Sequence, residues 1–285
     1  PVAAPVAALM QGFSLEVMPR TAEKVDDFRA LLPAGTRVYI AHIDGTPIAD
    51  MVATAARLRA DGMDPMPHFP ARIIRNRAEL ADWVDRYRDV GVRQGLMLGG
   101  GVSAPVGAYD SSMHLMESGL FDGFDRLHVA GHPEGNRDIE PAGQDRIVTE
   151  ALRWKQDFAR STGVDMAIVT QFAFEAVPII SWCDRLRAQG ITLPVHLGVA
   201  GPAKLQTLIK FAVACGVGPS LKVLQKRAKD VSKLLLPFEP TELVADLANH
   251  KQAHPNFAVD RLHFFPLGGI KTTETHGGAS ARPGL

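Results

Sequence analysis

The chain has 285 residues, of which 46% are apolar and 22% are charged, and its 31 basic side chains balance 31 acidic ones. This balance excludes a dedicated nucleic-acid-binding protein and an acidic membrane surface as partner, because both need an excess of positive charge. Two cysteines cannot form a disulfide framework. No apolar run reaches the roughly 18 residues of a membrane span. We therefore expect a cytoplasmic protein with no membrane partner.

Short apolar runs alternate with longer amphipathic stretches along the chain. The runs are continuously apolar, which is typical of parallel strands that are covered on both faces. Strands are predicted at 13–17, 37–43, 66–70, 95–101, 126–131, 165–172, 193–199 and 261–267. Helices are predicted at 21–32 (with Thr21 as N-cap), 48–61, 77–91, 112–118, 145–160, 177–189, 203–215, 221–235 and 241–251. Eight such units predict a (β/α)8 TIM barrel. An open doubly wound sheet is the alternative, but its G-x-G-x-x-G motif is absent after the first strand.

The length of the chain suits one domain. We assign residues 1–285 to a single barrel domain, since barrels of this kind typically have about 250 residues. The segment 271–285 is polar and rich in glycine. We expect it to form a flexible C-terminal tail.

Glu16 is the first candidate for a functional residue. In a TIM barrel the reactive groups lie where strands end and the following loops begin. Glu16 lies near the end of the first strand, within the apolar run SLEVM. Burial favours the protonated form of a carboxyl group, which suits a general acid near neutral pH. The alternative is a glutamate paired with an arginine below the barrel mouth, and we favour the general acid.

Four histidines are predicted to lie at or near strand ends: His42, His68, His132 and His196. Imidazoles can bind a metal ion, but no carboxylate joins these four at a ligand spacing. The paired H-x-H motif of metallohydrolase barrels is also absent. We therefore predict no metal site and assign the histidines to hydrogen bonding with a ligand or to packing.

Three further strand ends suit a bound ligand. Gly99, Gly100 and Gly101 end the fourth strand, and consecutive glycines let a flat or phosphorylated ligand approach the backbone. A flexible loop without a ligand is the alternative. The segment GHPEGNRD (131–138) follows the fifth strand and suits a ligand or a turn equally. Gln171 ends the sixth strand among apolar neighbours, and a buried amide needs partners that a ligand could supply.

The order of several segments resembles the methylenetetrahydrofolate reductase family. The segments are SLEVMP, HFPARIIRNRAEL, LMLGGG, VAGHPEGNRD, VTQFAFEAVPIISWCDRLRAQGITLPV and LHFFPL. They extend over residues 13–267, nearly the whole predicted barrel. The most specific are G-x-P-E-G in the fifth loop and TQF-x-F followed by a helix and GI-x-x-P.

This resemblance implies a barrel that binds FAD at its carboxyl-terminal mouth and uses NADH or NADPH to reduce methylenetetrahydrofolate to methyltetrahydrofolate. It implies that Glu16 is the catalytic acid, that Gln171 contacts the tetrahydrofolate derivative and acts in catalysis, and that His68 lies next to the flavin. The other positions so assigned are Gly99, Gly100, Gly101, Gly131, His132, Asn136 and Lys155 for the cofactor and Phe174 and Leu205 for the substrate. Family members often assemble, so a homo-oligomer is a further expectation.

Several positions depart from the family pattern. Gly99–Gly101 replace Arg-Gly-Asp, which removes a charged group near the flavin and the pterin. Lys155 or Arg160 stands in for a flavin-contacting lysine that does not align cleanly. The remaining replacements are His132 for a tyrosine, Asn136 for a histidine, Leu205 for an aromatic that stacks on folate, and Gly268 and Gly269 for Asn-Arg.

We therefore predict a divergent flavin-dependent oxidoreductase of one-carbon metabolism, in which hydride reaches an iminium carbon that Glu16 helps to generate. The same site allows the reverse reaction. One alternative is a folate reductase in which NAD(P)H delivers the hydride directly, without flavin. Another is a non-catalytic folate-binding protein, which the retention of Glu16 disfavours. A histidine-rich metal hydrolase is the last.

Overall fold

The structure is a computed structural model that describes residues 4–215, 218–228 and 237–273. Eight parallel strands form a closed barrel in which each strand lies beside its neighbours in chain order. The predicted (β/α)8 class is therefore confirmed. The strands are β1 Ser14–Val17, β2 Arg37–Ile40, β3 Asp64–Pro70, β4 Gln94–Leu98, β5 Arg126–Gly131, β6 Ile168–Ala173, β7 Val195–Ala200 and β8 Val259–Phe265.

Helices follow most of the strands, as the alternating pattern predicts. They are α1 Ala4–Met10, α2 Pro19–Ala22, α3 Ile48–Ala60, α4 Arg77–Asp89, α5 Ser112–Glu117, α6 Arg146–Thr162, α7 Ala176–Ala188, α8 Leu205–Ala214, α9 Gly218–Ala228 and α10 Thr241–Ala253. Short 3-10 helices lie at Phe28–Ala30 and Ala71–Ile73. No helix in the described part of the chain combines the length and apolarity that a membrane span requires.

The predicted helix at 21–32 is wrong. The Thr21 hydroxyl donates to the carbonyl oxygen of Met18 and accepts from its N–H, so the helical turn begins before Thr21 rather than at it. The Asp27 carboxylate then accepts from the Arg29 N–H and begins a separate 3-10 helix. Local side-chain bonds of this kind compete with a continuous helix.

Both ends of the chain add detail to the prediction. Helix α1 was not predicted, and its Leu9 and Met10 are buried. At the other end, residues 270–273 are helical, with Ile270 and Thr273 buried. The rest of the predicted tail, 274–285, lies outside the described residues, as does the end of the helix predicted at 221–235.

The contacts group the residues into two compact units, and the assignment to a single domain stays a prediction. One unit comprises 16–130 and 150–168. In it, the Phe69 ring packs edge-on against Tyr87, Phe121 and Phe124, with centroid distances of 5.3, 5.0 and 6.2 Å. Tyr87 belongs to α4, so Phe69 faces the outer helices, and its strand neighbour His68 points to the inner face of the sheet.

The other unit comprises 1–15, 131–149 and 169–285. Its apolar cluster packs β6 and β7 against α8 and α9, with Phe172, Phe174, Leu205, Leu208 and Phe238 among its members. In the same unit β1 pairs with β8, and the Ser14 hydroxyl lies 2.9 Å from Nδ1 of His263. Both of these polar side chains are buried.

Candidate active site

Glu16 and His68 form the chemical centre of the first unit. Glu16 is the third residue of β1, and His68 lies near the carboxyl end of β3. Their side chains are 20% and 10% exposed, and Oε2 of Glu16 lies 3.2 Å from Nε2 of His68. The angle at Nε2 does not meet hydrogen-bond geometry, so the contact is a close approach rather than a hydrogen bond. An acid and an imidazole, predicted separately at two strand ends, are thus brought together.

His42 lies next to this pair, just after β2. Its Nε2 lies 3.0 Å from the carbonyl oxygen of Thr46, and its ring stacks on Trp83 at a centroid distance of 4.8 Å. Burial lowers the pKa of His42, so the ring is neutral and Nε2–H donates to Thr46. Nδ1 is then an acceptor, and it is buried without a hydrogen-bond partner among the described residues. His42 therefore offers an acceptor and no positive charge.

A second polar pair lies on the same inner face. The hydroxyl of Tyr39 in β2 lies 2.6 Å from Nδ1 of His128 in β5, and both side chains are fully buried. The Tyr39 ring meets the His68 ring edge-on, with centroids 6.4 Å apart. This pair was not predicted, because two strands separate β2 from β5 along the chain.

The glycine segment after β4 forms an anchored loop. The Arg72 N–H donates to the carbonyl oxygen of Gly99, and the Arg72 guanidinium lies 2.8 Å from the Asp110 carboxylate. Gly100 has a φ of +105°, which favours glycine. A Cβ added at Gly101 would meet no atom within 4 Å, so this part of the loop is open. The open backbone is at Gly101, and the assignment of the three glycines to a ligand stays a prediction.

The loop after β5 is held by its own hydrogen bonds. Oδ1 of Asn136 accepts from the N–H groups of Asp138 and Ile139, and the Gly135 N–H donates to the carbonyl oxygen of His132. The Asn136 oxygen is therefore used within the turn. Gly131 is the last residue of β5 and is buried, and His132 follows it half-buried. Their assignment to the cofactor stays a prediction.

Lys155 lies in the middle of α6, within the helix predicted at 145–160. It is 8% exposed, and burial lowers its pKa to about 8. A lysine that binds an anionic group from a loop is normally accessible and fully charged. Burial in a helix thus disfavours the predicted contact between Lys155 and the cofactor.

The predicted substrate residues lie in the second unit and differ in accessibility. Gln171 is exposed, whereas its strand neighbours Thr170 and Phe172 are buried, so the expectation of a buried amide is wrong. The reason is alternation along β6, because Phe172 packs in the outer cluster and Gln171 points to the opposite face. Phe174 and Leu205 are both buried in that cluster, where packing alone accounts for them.

His196 does not belong with the other histidines. Strand β7 begins at Val195, so His196 is its second residue and lies at the amino-terminal rim. Its Nε2 lies 4.0 Å from the carboxylate of Asp260, near the start of β8. The prediction that placed it near a strand end is therefore wrong. Within the described ranges, no three His, Cys, Asp or Glu residues are grouped so that they could hold a metal ion.

An open cavity of 430 Å³ lies at the loops after β7 and β8, in the second unit. Lys204, Thr207, Glu239 and Thr272 are among its lining residues. Gly268 also lines it, and a Cβ there would overlap the carbonyl oxygen of Pro202. This cavity was not predicted from the sequence. Its only signal was the pair Gly268 and Gly269 after the last strand.

The predicted flavin positions fit FAD only in part. Glu16 and His68 are partly exposed and the backbone at Gly101 is open, and a flat ring system would need both. The diphosphate of FAD needs accessible donors or cations. Of the predicted positions, Lys155 is buried in α6 and Asn136 Oδ1 is bonded within its turn. The nearby Arg72 is paired with Asp110.

Comparisons with known proteins show a similar fold but no family. No protein-family model matches the chain. An uncharacterized protein from Clostridium thermocellum that binds two copies of 5-methyl-5,6,7,8-tetrahydrofolic acid is similar over 93% of this chain and 94% of its own, at 9% identity and a TM-score of 0.56. A putative phosphonomutase from Burkholderia cenocepacia J2315 is similar over 96% of this chain and 93% of its own, at 11% identity and a TM-score of 0.50. At these identities the likeness is one of fold alone.

Proposed function

We propose that the chain is an enzyme that binds a tetrahydrofolate derivative and interconverts 5,10-methylenetetrahydrofolate and 5-methyltetrahydrofolate, with NADH or NADPH as the electron partner. The observation that carries the proposal is the 3.2 Å contact between Glu16 and His68 at the carboxyl ends of β1 and β3. The sequence segments that resemble methylenetetrahydrofolate reductases support it. So does the similar fold of a protein that binds 5-methyltetrahydrofolate.

The reaction requires one proton and one hydride. A carbon–nitrogen bond of the five-membered ring breaks, the released nitrogen gains the proton, and the iminium carbon that remains gains the hydride from NAD(P)H. Glu16, half-buried at the end of β1, gives the proton. His68 lies beside the carboxylate, with its Nε2 3.2 Å from Oε2 of Glu16. In the reverse direction Glu16 takes the proton back.

The assignment of Gln171 to the pterin stays a prediction. Its exposed amide provides two donors and one acceptor, which suits the edge of a pterin. Because the amide is exposed rather than buried, it is available to a ligand without any movement of β6. It does not need a ligand in order to be satisfied, since water can bond it.

FAD as the cofactor is also a proposal. When bound, the flavin would accept hydride from NAD(P)H and pass it to the folate. Gly99–Gly101 and His68 are the residues that would hold its ring system. The burial of Lys155 and the engagement of Asn136 favour a second candidate, a reductase of the same folate that binds no flavin. Both candidates use Glu16 in the same way.

The first experiment is an absorbance spectrum of the purified chain, before and after incubation with excess FAD and gel filtration. A retained flavin band that NADH bleaches anaerobically and methylenetetrahydrofolate restores supports the flavin-dependent reaction. Oxidation of NADH by methylenetetrahydrofolate without a flavin band supports direct transfer. Binding of 5-methyltetrahydrofolate with neither reaction would leave only the folate-binding protein.

The Glu16→Gln variant tests the acid. We expect it to lower kcat for methylenetetrahydrofolate reduction by at least about 100-fold, because the amide cannot supply the proton. Binding of 5-methyltetrahydrofolate should change little. Glu23→Gln is the matched control, since Glu23 is an exposed carboxylate after α2. An unchanged kcat in Glu16→Gln would refute the proposed role of Glu16.

A further inference from the structure

Tyr39 and His128 form a buried hydrogen bond that crosses the inner face of the sheet. The hydroxyl-to-Nδ1 distance is 2.6 Å, and the side chains are 0% and 1% exposed. Strands β3 and β4 lie between β2 and β5 in the barrel, so the bond does not join neighbouring strands. It therefore holds together side chains that the backbone ladder alone leaves independent.

The strand register places this bond next to the candidate acid. His68 pairs with Leu96, and Leu96 pairs with His128, so the two histidines occupy one row across β3, β4 and β5. Paired residues of parallel strands point to the same face. Tyr39 pairs with Met66, two positions before His68, and its ring meets the His68 ring edge-on. Tyr39 thus packs edge-on against the His68 ring, and His128 occupies the same row as His68 two strands away.

The electrostatics connect the pair to Glu16 as well. Burial raises the pKa of Tyr39 far above its usual range; the charge of Arg37 and a hydrogen bond from it oppose this rise, and the Glu16 carboxylate adds to it. The phenol therefore keeps its proton and can donate to Nδ1 of His128. Glu16 lies close enough for its charge to be felt at the Tyr39 oxygen.

An apolar layer would be the ordinary way to fill this space. The inner positions of TIM barrels are mostly valine, isoleucine and leucine, which need no partners. A buried hydroxyl and imidazole are costly unless they bond each other, and their net contribution to stability is then small. Packing alone does not explain why both are present. Their position next to His68 and near Glu16 explains why both are present.

We propose that Tyr39 and His128 are positioning residues, whose hydrogen bond fixes the layer on which the His68 ring and the Glu16 carboxylate rest. The acid is then presented to the folate in one orientation. This inference rests on the proposed function for its catalytic consequence. Its structural part, the dependence of the His68 ring on the Tyr39 hydroxyl, can be measured without turnover.

The test compares Tyr39→Phe with Tyr87→Phe. Both tyrosines are fully buried, but Tyr87 lies in α4 against the outer face of the sheet, and its hydroxyl has no hydrogen-bond partner among the described residues. The same atom is removed in both variants, and each ring is retained. We expect Tyr39→Phe to lower kcat by about 10- to 100-fold with little change in KM, since small displacements of a catalytic group have effects of this size. Tyr87→Phe should leave both constants unchanged.

Two further measurements complete the test. His128→Asn keeps an amide near the position of Nδ1 and should retain more activity than His128→Leu, which keeps none. In carbon–proton NMR spectra, the ring signals of His68 should move in Tyr39→Phe and stay in place in Tyr87→Phe. Urea unfolding of each variant establishes that the chains compared are folded.

The outcomes separate the two proposals. If the wild-type chain does not turn over methylenetetrahydrofolate, the proposed function fails, and the His68 signals still decide whether Tyr39 positions that ring. Unmoved His68 signals in Tyr39→Phe would overturn the inference. So would equal kcat values for Tyr39→Phe and wild type in an active enzyme. Equal activities of His128→Asn and His128→Leu would count against the role of the Nδ1 bond.

Discussion

Lys155 is the side chain whose burial has the clearest thermodynamic consequence. Desolvation in α6 lowers its pKa from an ordinary value of 10.5 to about 8. The folded protein therefore holds this proton less tightly than the unfolded chain does. Between about pH 8 and pH 10.5 the unfolded state binds more protons at this position, so this residue makes the free energy of unfolding rise with pH over that range.

We expect Lys155→Met to remove this dependence. At pH 7 the variant should be more stable than wild type, by up to about 3 kcal/mol, because the cost of burying the charge is absent. The difference should shrink as the pH rises towards 10.5. Urea unfolding at several pH values measures it. Lys24→Met, at an exposed lysine, is the control, and a constant difference across this range would contradict the argument.

Individual residues of the site could be predicted only as far as their strand positions. Glu16 and His68 were both predicted to lie near strand ends, since each belongs to a short apolar run. Their contact, and the bond between Tyr39 and His128, could not be predicted. Such contacts depend on distances across the barrel between strands that are not neighbours, and no local pattern contains that information.

At the scale of elements, a buried carboxylate joins the loop after β5 to the start of α6. The carboxylate of Glu140 is 4% exposed and accepts from the N–H groups of Ile147 and Val148 at 2.9 and 3.3 Å. The first N–H groups of a helix have no partner within it, and a carboxylate satisfies them well. Glu140 thus connects the loop to α6 and stabilises the first turn of that helix.

Glu140→Ala should lower the free energy of unfolding by about 1–2 kcal/mol, the usual cost of removing a helix cap. The amide protons of Ile147 and Val148 should exchange faster with solvent in this variant. Asp157→Ala on the same helix is the control, since its ion pair with Arg160 is exposed and should contribute little. Unchanged exchange at both amides would show that Glu140 does not cap α6.

Apolar spacing was enough to predict where some helices begin but not others. Helices α3 and α4 begin at the predicted residues, because apolar spacing and the cap at Asn76 agree. The segment at 19–32 has the same spacing, but Pro19, the Thr21 hydroxyl and the Asp27 carboxylate divide it into two short turns. An apolar repeat is a property of a whole segment, whereas a single local hydrogen bond can end a helix within that segment.

For the whole molecule, the alternation of strand and helix patterns was enough to predict the class of fold. It was not enough to predict where strands approach each other closely. In the second unit, a Cβ added at Gly198 in β7 would overlap the carbonyl oxygens of Thr170 and Gln171 in β6. Gly198 lies within an ordinary strand pattern, so its sequence context contains no sign of this crowding. The close approach of β6 to β7 leaves no room for a side chain at this position unless the two strands move apart.

We expect Gly198→Ala to lower the free energy of unfolding by about 1–3 kcal/mol, since β6 and β7 must move apart to admit the methyl group. Gly101→Ala is the control. Its Cβ would meet nothing within 4 Å, and loss of backbone freedom in the unfolded chain should make it neutral or slightly stabilising. Urea unfolding compares the two, and equal stabilities would contradict the crowding at β6.

The pairing of β1 with β8 has a consequence for synthesis of the chain. Ser14 and His263, whose side chains lie 2.9 Å apart, are separated by 249 positions in the sequence. At a ribosomal rate of about 5–20 residues per second, β8 is synthesised roughly 10–50 s after β1, and until then one edge of β1 has no partner strand. During that interval the nascent sheet presents an open edge, which other chains can pair with. We therefore expect expression of the chain to depend more strongly on chaperones when many copies are translated rapidly at the same time.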